Sequence, residues 1–303
     1  MRKTEKFWGI LILILGLLSL PVFAEKAIDK SGDKSSEKSI DGSEKSSDKA
    51  DSSGKILFVD TSEQGKTYLA TINPDGTGKV RLTPAYNNIV FPRWAEKTGW
   101  IGFTNKLPDM RSEVFLLNRS GNKIIKFREG VSLEGFSPDG KFLLYSTCDQ
   151  NPTLYAYSIK SKISTKLSTD QKITSADWSP KSDWIVASAL MEDGTSDLFL
   201  ISTLAQGIVR LTTTPKINES FPVFARDGKH IAYICDRNGR SEIEFLNIDT
   251  KEFQRPILVG LYPSISPDDK HVVFEAGTDI VVSQTNGLEQ KAICKGRTPF
   301  WIK

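Results

Sequence analysis

The amino-acid sequence predicts an all-β protein: a six-bladed β-propeller of four-stranded blades, its ring closed by the N- and C-terminal segments. Three observations predict it. A turn-and-strand pattern recurs with anchor residues at positions 94, 136, 178, 224 and 265, giving intervals of 42, 42, 46 and 41 residues. The two ends of the globular region each carry half of one further copy. No long amphipathic helical pattern follows residue 54. Periods of about 40–45 residues with four short strands each are what a propeller blade requires.

The copies are legible one by one. Phe136-Ser-Pro-Asp-Gly-Lys141 leads into FLLYST, and Trp178-Ser-Pro-Lys-Ser-Asp183 into WIVASA. Phe224-Ala-Arg-Asp-Gly-Lys229 leads into HIAYIC, and Ile265-Ser-Pro-Asp-Asp-Lys270 into HVVFEA. Trp94-Ala-Glu-Lys-Thr-Gly99, a degenerate copy, leads into WIGFTN. Gly54-Lys55 followed by ILFVDT supplies a turn end and its strand without an anchor; Arg297-Thr-Pro-Phe-Trp-Ile302 supplies the anchor half without a strand. In Ser137-Pro-Asp-Gly140 the proline stands second and the glycine fourth, as a type I turn prefers. The runs that follow are apolar, as in sheets packed on both faces. A second strand comes next, as in residues 197–202 and 242–247, and then a short outer segment, as in 73–83 and 207–212.

Proline spacing gives the blade its orientation. Pro92, Pro222, Pro263 and Pro299 each stand two residues before an anchor, on the expected innermost strand. Proline lacks an N–H and is tolerated on a strand edge that has no neighbour to bond.

The N-terminus is of different material. Arg2, Lys3 and Lys6 precede an apolar run from Phe7 to Leu20, and Pro-Val-Phe-Ala24 follows, so residues 1–24 read as a secretory signal cleaved after Ala24. The alternative is an uncleaved membrane anchor, because the 18 residues Phe7 to Ala24 sit at the lower limit for spanning a bilayer. Acylation as a lipoprotein is excluded, since the first cysteine is Cys148. Residues 25–54 hold nine Ser, six Lys and eight Asp or Glu with no aromatic residue, the composition of a disordered tether. The propeller is then residues 55–303, and the exported chain belongs in the periplasm.

Composition excludes some functions. A net charge of +3 on 303 residues shows no basic excess of the kind nucleic-acid binding needs. The three cysteines, Cys148, Cys235 and Cys294, are an odd number, and buried inert thiols are the default expectation. No Gly-x-Ser-x-Gly elbow, His-Glu-x-x-His pattern or Cys–His cluster occurs. The only histidines, His230 and His271, stand six residues after their anchors, where other copies have Trp100, Phe142 and Trp184; they read as packing residues. The anchors Trp94, Phe136, Trp178, Phe224 and Trp301 likewise read as core between blades.

At this point the residues resemble a known family. FSPDGKFLLYS, the WSP at 178–180, ARDGKHIAYICDRNG and NPDGTGKVRLT are similar to the blade motif of TolB-type propellers, over residues 54–303. The resemblance implies a periplasmic protein that captures an envelope protein or peptide at the mouth of the ring, acting as a monomeric scaffold and not as an enzyme. Family members carry an α/β domain ahead of the propeller; here the 30-residue tether occupies that place. The partner-binding residues expected at the channel mouth are Asn87, Asn88, Arg93, Glu134, Asp177, Glu219, Tyr262 and Arg297, a polar and aromatic mixture suited to protein contact. Glu134, Asp177 and Glu219 also admit another reading, a channel Ca²⁺ held by carboxylate oxygens. The alternative function is a hydrolase or lyase that uses these channel carboxylates.

Overall fold

Each anchor turn folds back on itself and launches a strand. In Ser137-Pro-Asp-Gly140 the Gly140 N–H donates to the Ser137 carbonyl at 2.8 Å, and Gly140 takes φ 73°, a left-handed value that a residue without Cβ adopts freely. The Ser137 hydroxyl accepts from the N–H of Phe142 at 2.9 Å, tying the turn to the strand it starts. The same closure joins Ser182 to Ser179, Gly228 to Ala225 and Asp269 to Ser266.

The computed structural model describes residues 54–303 apart from 119–120, 168–170, 205–206 and 238. The expected signal segment, and the tether up to residue 53, lie outside the described residues. In chain order the strands are β1 (Lys55–Thr61), β2 (Thr67–Ile72), β3 (Val80–Arg81), β4 (Ile89–Trp94), β5 (Ile101–Lys106) and β6 (Ser112–Leu117). Then come β7 (Ile124–Glu129), β8 (Val131–Phe136), β9 (Phe142–Thr147), β10 (Leu154–Ser158), β11 (Ser164–Lys166) and β12 (Lys172–Trp178). They are followed by β13 (Trp184–Leu190), β14 (Ser196–Ser202), β15 (Ile208–Arg210), β16 (Asn218–Phe224), β17 (His230–Arg237) and β18 (Arg240–Asn247). The last are β19 (Phe253–Gln254), β20 (Leu261–Ile265), β21 (His271–Ala276), β22 (Asp279–Gln284), β23 (Lys291–Lys295) and β24 (Arg297–Ile302). No helix occurs among the described residues, so the protein is all-β there.

Hydrogen bonding orders four sheets of four strands: β24-β1-β2-β3, β4-β5-β6-β7, β8-β9-β10-β11 and β20-β21-β22-β23. A fifth sheet has eight, in which β12-β13-β14, with β15 on β14, meets β16-β17-β18-β19. That meeting is a single parallel bridge between Ser196 and Asn218. The first sheet pairs the last strand with the first, Lys55 opposite Ile302 and Ile56 opposite Trp301. The inner strands β4, β8, β12, β16, β20 and β24 touch one another in that order, and β24 touches β4.

The core lies between successive groups of strands. Leu144 and Leu154 of β9 and β10 pack with Ile185, Ala187, Phe199 and Ile201 of β13 and β14. Leu57 and Leu69 of β1 and β2 pack with Ile89 and Phe103 of β4 and β5. Burying each such side chain contributes about 1.5–3 kcal/mol. The anchors belong to these layers: Trp178 stacks on Phe142 at 6.2 Å between centroids, and Trp301 on His271 at 6.3 Å. His271 therefore packs as its place in the repeat predicts. His230 does something else, taking Asp227 on Nδ1 at 2.5 Å and Asn247 on Nε2 at 3.1 Å, within its own turn and strand.

Pro92, Pro222, Pro263 and Pro299 all fall on inner strands, as expected. Beside them lies a feature that the sequence reading did not foresee. The residue before each proline has positive φ: Phe91 52°, Phe221 49°, Tyr262 55° and Thr298 45°. The pairing register slips at the same places, between Val90 and Arg93, Ser220 and Val223, and Leu261 and Ser264. Positive φ is uncommon for residues with a side chain, and a following proline restricts the backbone further. Recurrence at four matching positions marks a built-in bulge, a device that bends a strand and re-aims its side chains.

Candidate functional site

The bulges bring three rings together. Phe91 of β4, Phe221 of β16 and Tyr262 of β20 meet with centroids 5.5 Å (Phe91–Phe221), 5.5 Å (Phe91–Tyr262) and 4.7 Å (Phe221–Tyr262) apart, the last pair edge to face at 88°. Such T-shaped contacts suit the ring quadrupoles. The rings line a small cavity together with Arg93, Ser175 and Thr298. Further along the strands a second cavity opens to solvent among the anchors, sharing Val223 and Phe300 with the first. The two are successive compartments between the inner strands.

The predicted residues divide around this axis. Asn87 is exposed and Asn88 half-buried just before β4, and Asn88 accepts from Arg297 Nη2 at 3.2 Å. Tyr262 is one of the three rings, with Glu275 and Arg297 near enough to act on its hydroxyl. These four residues and the aromatic cluster share the end of the channel where the inner strands begin. Lys106 joins them, its ammonium 5.8 Å from the Phe91 ring.

Arg93, Glu134 and Asp177 lie deeper. Arg93 Nε donates to the Glu134 carbonyl at 2.6 Å, and its guanidinium stands 5.4 Å from the Phe300 ring. Glu134 is only 5% exposed, and both carboxylate oxygens are engaged: Oε1 by Ser146 Oγ at 2.6 Å and Oε2 by the Ala176 N–H at 3.2 Å. Asp177 Oδ2 accepts from the Phe224 N–H at 2.9 Å. Burial pushes both carboxyls above the usual carboxylate range; hydrogen bonds and the Arg93 charge pull the other way.

Glu219 stands apart from them, 1% exposed, with Thr214 on Oε1 at 3.0 Å and no partner on Oε2. Burial pushes its carboxyl up, against the hydroxyls of Thr212 and Thr214, and Asp197 and Glu244 add to the rise.

These carboxylates follow a wider rule. The inner-strand N–H groups of Ile89, Leu133, Phe221, Thr298 and Trp301 donate to Thr67, Thr104, Ser175, Glu275 and Ser264 of the preceding group, at 2.6–3.0 Å. An edge strand leaves such groups unpaired, and buried backbone donors need an acceptor. Glu134 and Asp177 cap the neighbouring strand in the same way. Among the described residues no three His, Cys, Asp or Glu side chains are placed to hold a metal ion, so the three carboxylates do not form the cation site considered from the sequence.

The thiols depart from expectation too. All three are free, and Cys235 is buried as anticipated, but Cys294 is half-buried and Cys148 exposed on the turn after β9.

A profile of the TolB beta propeller domain matches residues 135–298, more than half of the chain. The chain belongs to the TolB beta propeller family. Among solved structures it is similar to TolB from Acinetobacter baumannii, at 21% identity and TM-score 0.73, over 83% of this chain and 67% of that one. It is also similar to a chain of the nidogen/laminin complex, at 9% identity and TM-score 0.64, over 81% of this chain and 97% of that one. The tricorn protease is a third, at 15% identity and TM-score 0.59, over 80% of this chain and 26% of that one. No curated protein sequence matches. At these identities the likeness is one of fold.

Within this TolB-type propeller the sequence reading found Tyr262 but missed Phe91 and Phe221. The signal was present, because all three stand directly before the inner-strand prolines.

Proposed function

We propose that this chain is an exported, periplasmic TolB-type propeller whose six blades form a ring closed by β24 on β1. It holds an envelope protein or peptide at the mouth where the inner strands begin. The observation that carries this reading is the convergence of Phe91, Phe221 and Tyr262 into a partly exposed aromatic floor. Around that floor stand Asn87, Asn88, Lys106 and Arg297. Aromatic residues ringed by arginine and amide groups have the composition of binding hot spots. The bulges fix the rings in advance, so little ordering entropy opposes binding. Glu134 and Asp177 serve the site by holding adjacent strands, since their carboxyls accept the N–H groups of Ala176 and Phe224. Export rests on the charged, apolar and small-residue order of residues 1–24.

The test compares the mature chain with a Phe221→Ala, Tyr262→Ala double variant in capture from envelope extract, followed by direct binding of the purified partner. A partner bound by the wild type and at least tenfold more weakly by the folded variant supports the reading. If neither form retains a partner, the scaffold reading falls, and a hydrolase and lyase substrate screen takes its place. N-terminal sequencing of the secreted chain tests cleavage after Ala24.

A further inference from the structure

The opposite, anchor-side mouth carries its own chemistry. The second residue of the anchor turn is Glu96, Pro138, Pro180, Arg226, Pro267 and Lys303 in the successive copies. Three copies depart from proline, and those three side chains are joined. Arg226 Nη1 meets Glu96 Oε2 at 2.9 Å, and Lys303 Nζ meets Glu96 Oε1 at 3.2 Å. Glu96 follows β4 and Arg226 follows β16, inner strands three places apart in their order of contact, so the pair reaches across the mouth. The Arg226 turn is itself held, with the N–H groups of Arg226 and Asp227 donating to Asp269 at 2.7 and 2.9 Å.

Below this clasp lies the second, solvent-open cavity, walled by Trp94, Phe136, Trp178, Phe224, Phe300 and Trp301. The cavity therefore combines a guanidinium at its lip with aromatic walls.

We propose that the anchor-side mouth binds a carboxylate carried on an apolar or aromatic body, and that Glu96 is the built-in stand-in which the ligand's carboxylate displaces from Arg226. A guanidinium can grip a carboxylate through parallel N–H donors, and Glu96 engages only Nη1 of that fork. The Glu96–Arg226 pair is more than a third exposed, so exchanging one carboxylate for another involves little net loss. The apolar body enters among the rings, where offset and edge contacts are available. Asp177 faces this space as well, but its Oδ2 is engaged by the Phe224 N–H, and burial disfavours its charged form. The carboxylate can be the free C-terminus of a chain or a small free acid, since both present the same group.

The test is titration of the full chain by calorimetry and by tryptophan fluorescence at low salt. The probes are N-acetyl-phenylalanine, 3-phenylpropionate and, as a control, N-acetyl-phenylalanine amide. Wild type should bind the acids and not the amide. Glu96→Gln, which removes the internal competitor, should bind them about tenfold more tightly, and Arg226→Gln about tenfold more weakly. A preference for the acetylated amino acid identifies a chain terminus as the ligand, and a preference for the plain acid identifies a small acid. Tyr262→Ala, at the other mouth, should leave this binding unchanged, which separates the outcome from that of partner capture. The proposal is overturned if wild type and Glu96→Gln both fail to bind at millimolar acid. It is equally overturned if a folded Arg226→Gln, verified by an unchanged thermal melt, binds as well as wild type.

Discussion

Glu219 is a single residue whose surroundings make a pH dependence legible. Its carboxyl is 1% exposed, one oxygen has no partner, and burial holds its pKa above the ordinary carboxylate value. A raised folded-state pKa means that this group's contribution is fully present below the unfolded value and is lost as pH rises through the folded one. Glu219→Gln mimics the protonated form, so it should stabilise the protein at pH 8 and have little effect at pH 4. Urea melts of both forms at the two pH values check this, and an equal effect at both would remove titration as the cause. The thiols make a second case. Burial raises Cys235 to about 12 and Cys294 to about 11, which leaves little thiolate near neutrality. A disulfide reagent at pH 8 should therefore modify one exposed thiol quickly in the native chain and all three in denaturant, with Cys148→Ser abolishing the fast phase.

At the scale of strands, the side-chain caps between successive groups should matter more than their size suggests. Thr104 is fully buried and its hydroxyl accepts the Leu133 N–H at 2.9 Å; Thr104→Val keeps the volume but orphans that donor, at a cost of about 1–3 kcal/mol. Thermal unfolding measures the loss, and a neutral result would show that this N–H finds another acceptor. Gly102 sets the other limit on how closely groups approach, because a Cβ there would meet Leu133 Cδ2 at 2.4 Å and Phe136 at 3.0 Å. Gly102→Ala should destabilise by about 1–3 kcal/mol through overpacking. These contacts also mark where sequence reading ended. Turns such as 137–140, the inner-strand prolines and the His271 packing position were legible because they are local and recur at a fixed spacing. Glu134 and Asp177 were read as mouth residues because their neighbours, Ala176 and Phe224, lie about a whole repeat away. Nothing in the chain near them announces a backbone N–H waiting to be capped. The positive φ at Phe91, Phe221 and Tyr262 was hidden for a different reason. Those residue types ordinarily avoid it, so only the fold as a whole imposes it.

For the whole molecule, the pairing of Lys55 with Ile302 places the ends of the described region side by side. Joining residue 303 to residue 54 through a short Gly/Ser linker and opening the chain in the exposed turn at 149–151 should give a permuted protein with native circular dichroism and a cooperative melt. Deleting residues 297–303 should instead abolish cooperative unfolding, since it strips β1 of one of its two neighbours and uncovers the Ile56–Phe58 core. The same pairing carries an implication for how the chain is made. A protein synthesised from its N-terminus places its first strand in the world long before the partner of that strand exists. Every other hairpin can zip as it emerges, over short loops and at little entropic cost, but this contact spans almost the whole length and must form last. A polypeptide stalled or clipped upstream of β24 leaves β1 without that partner. The strand edge so uncovered is a row of unpaired N–H and C=O groups, a template on which another chain can pair.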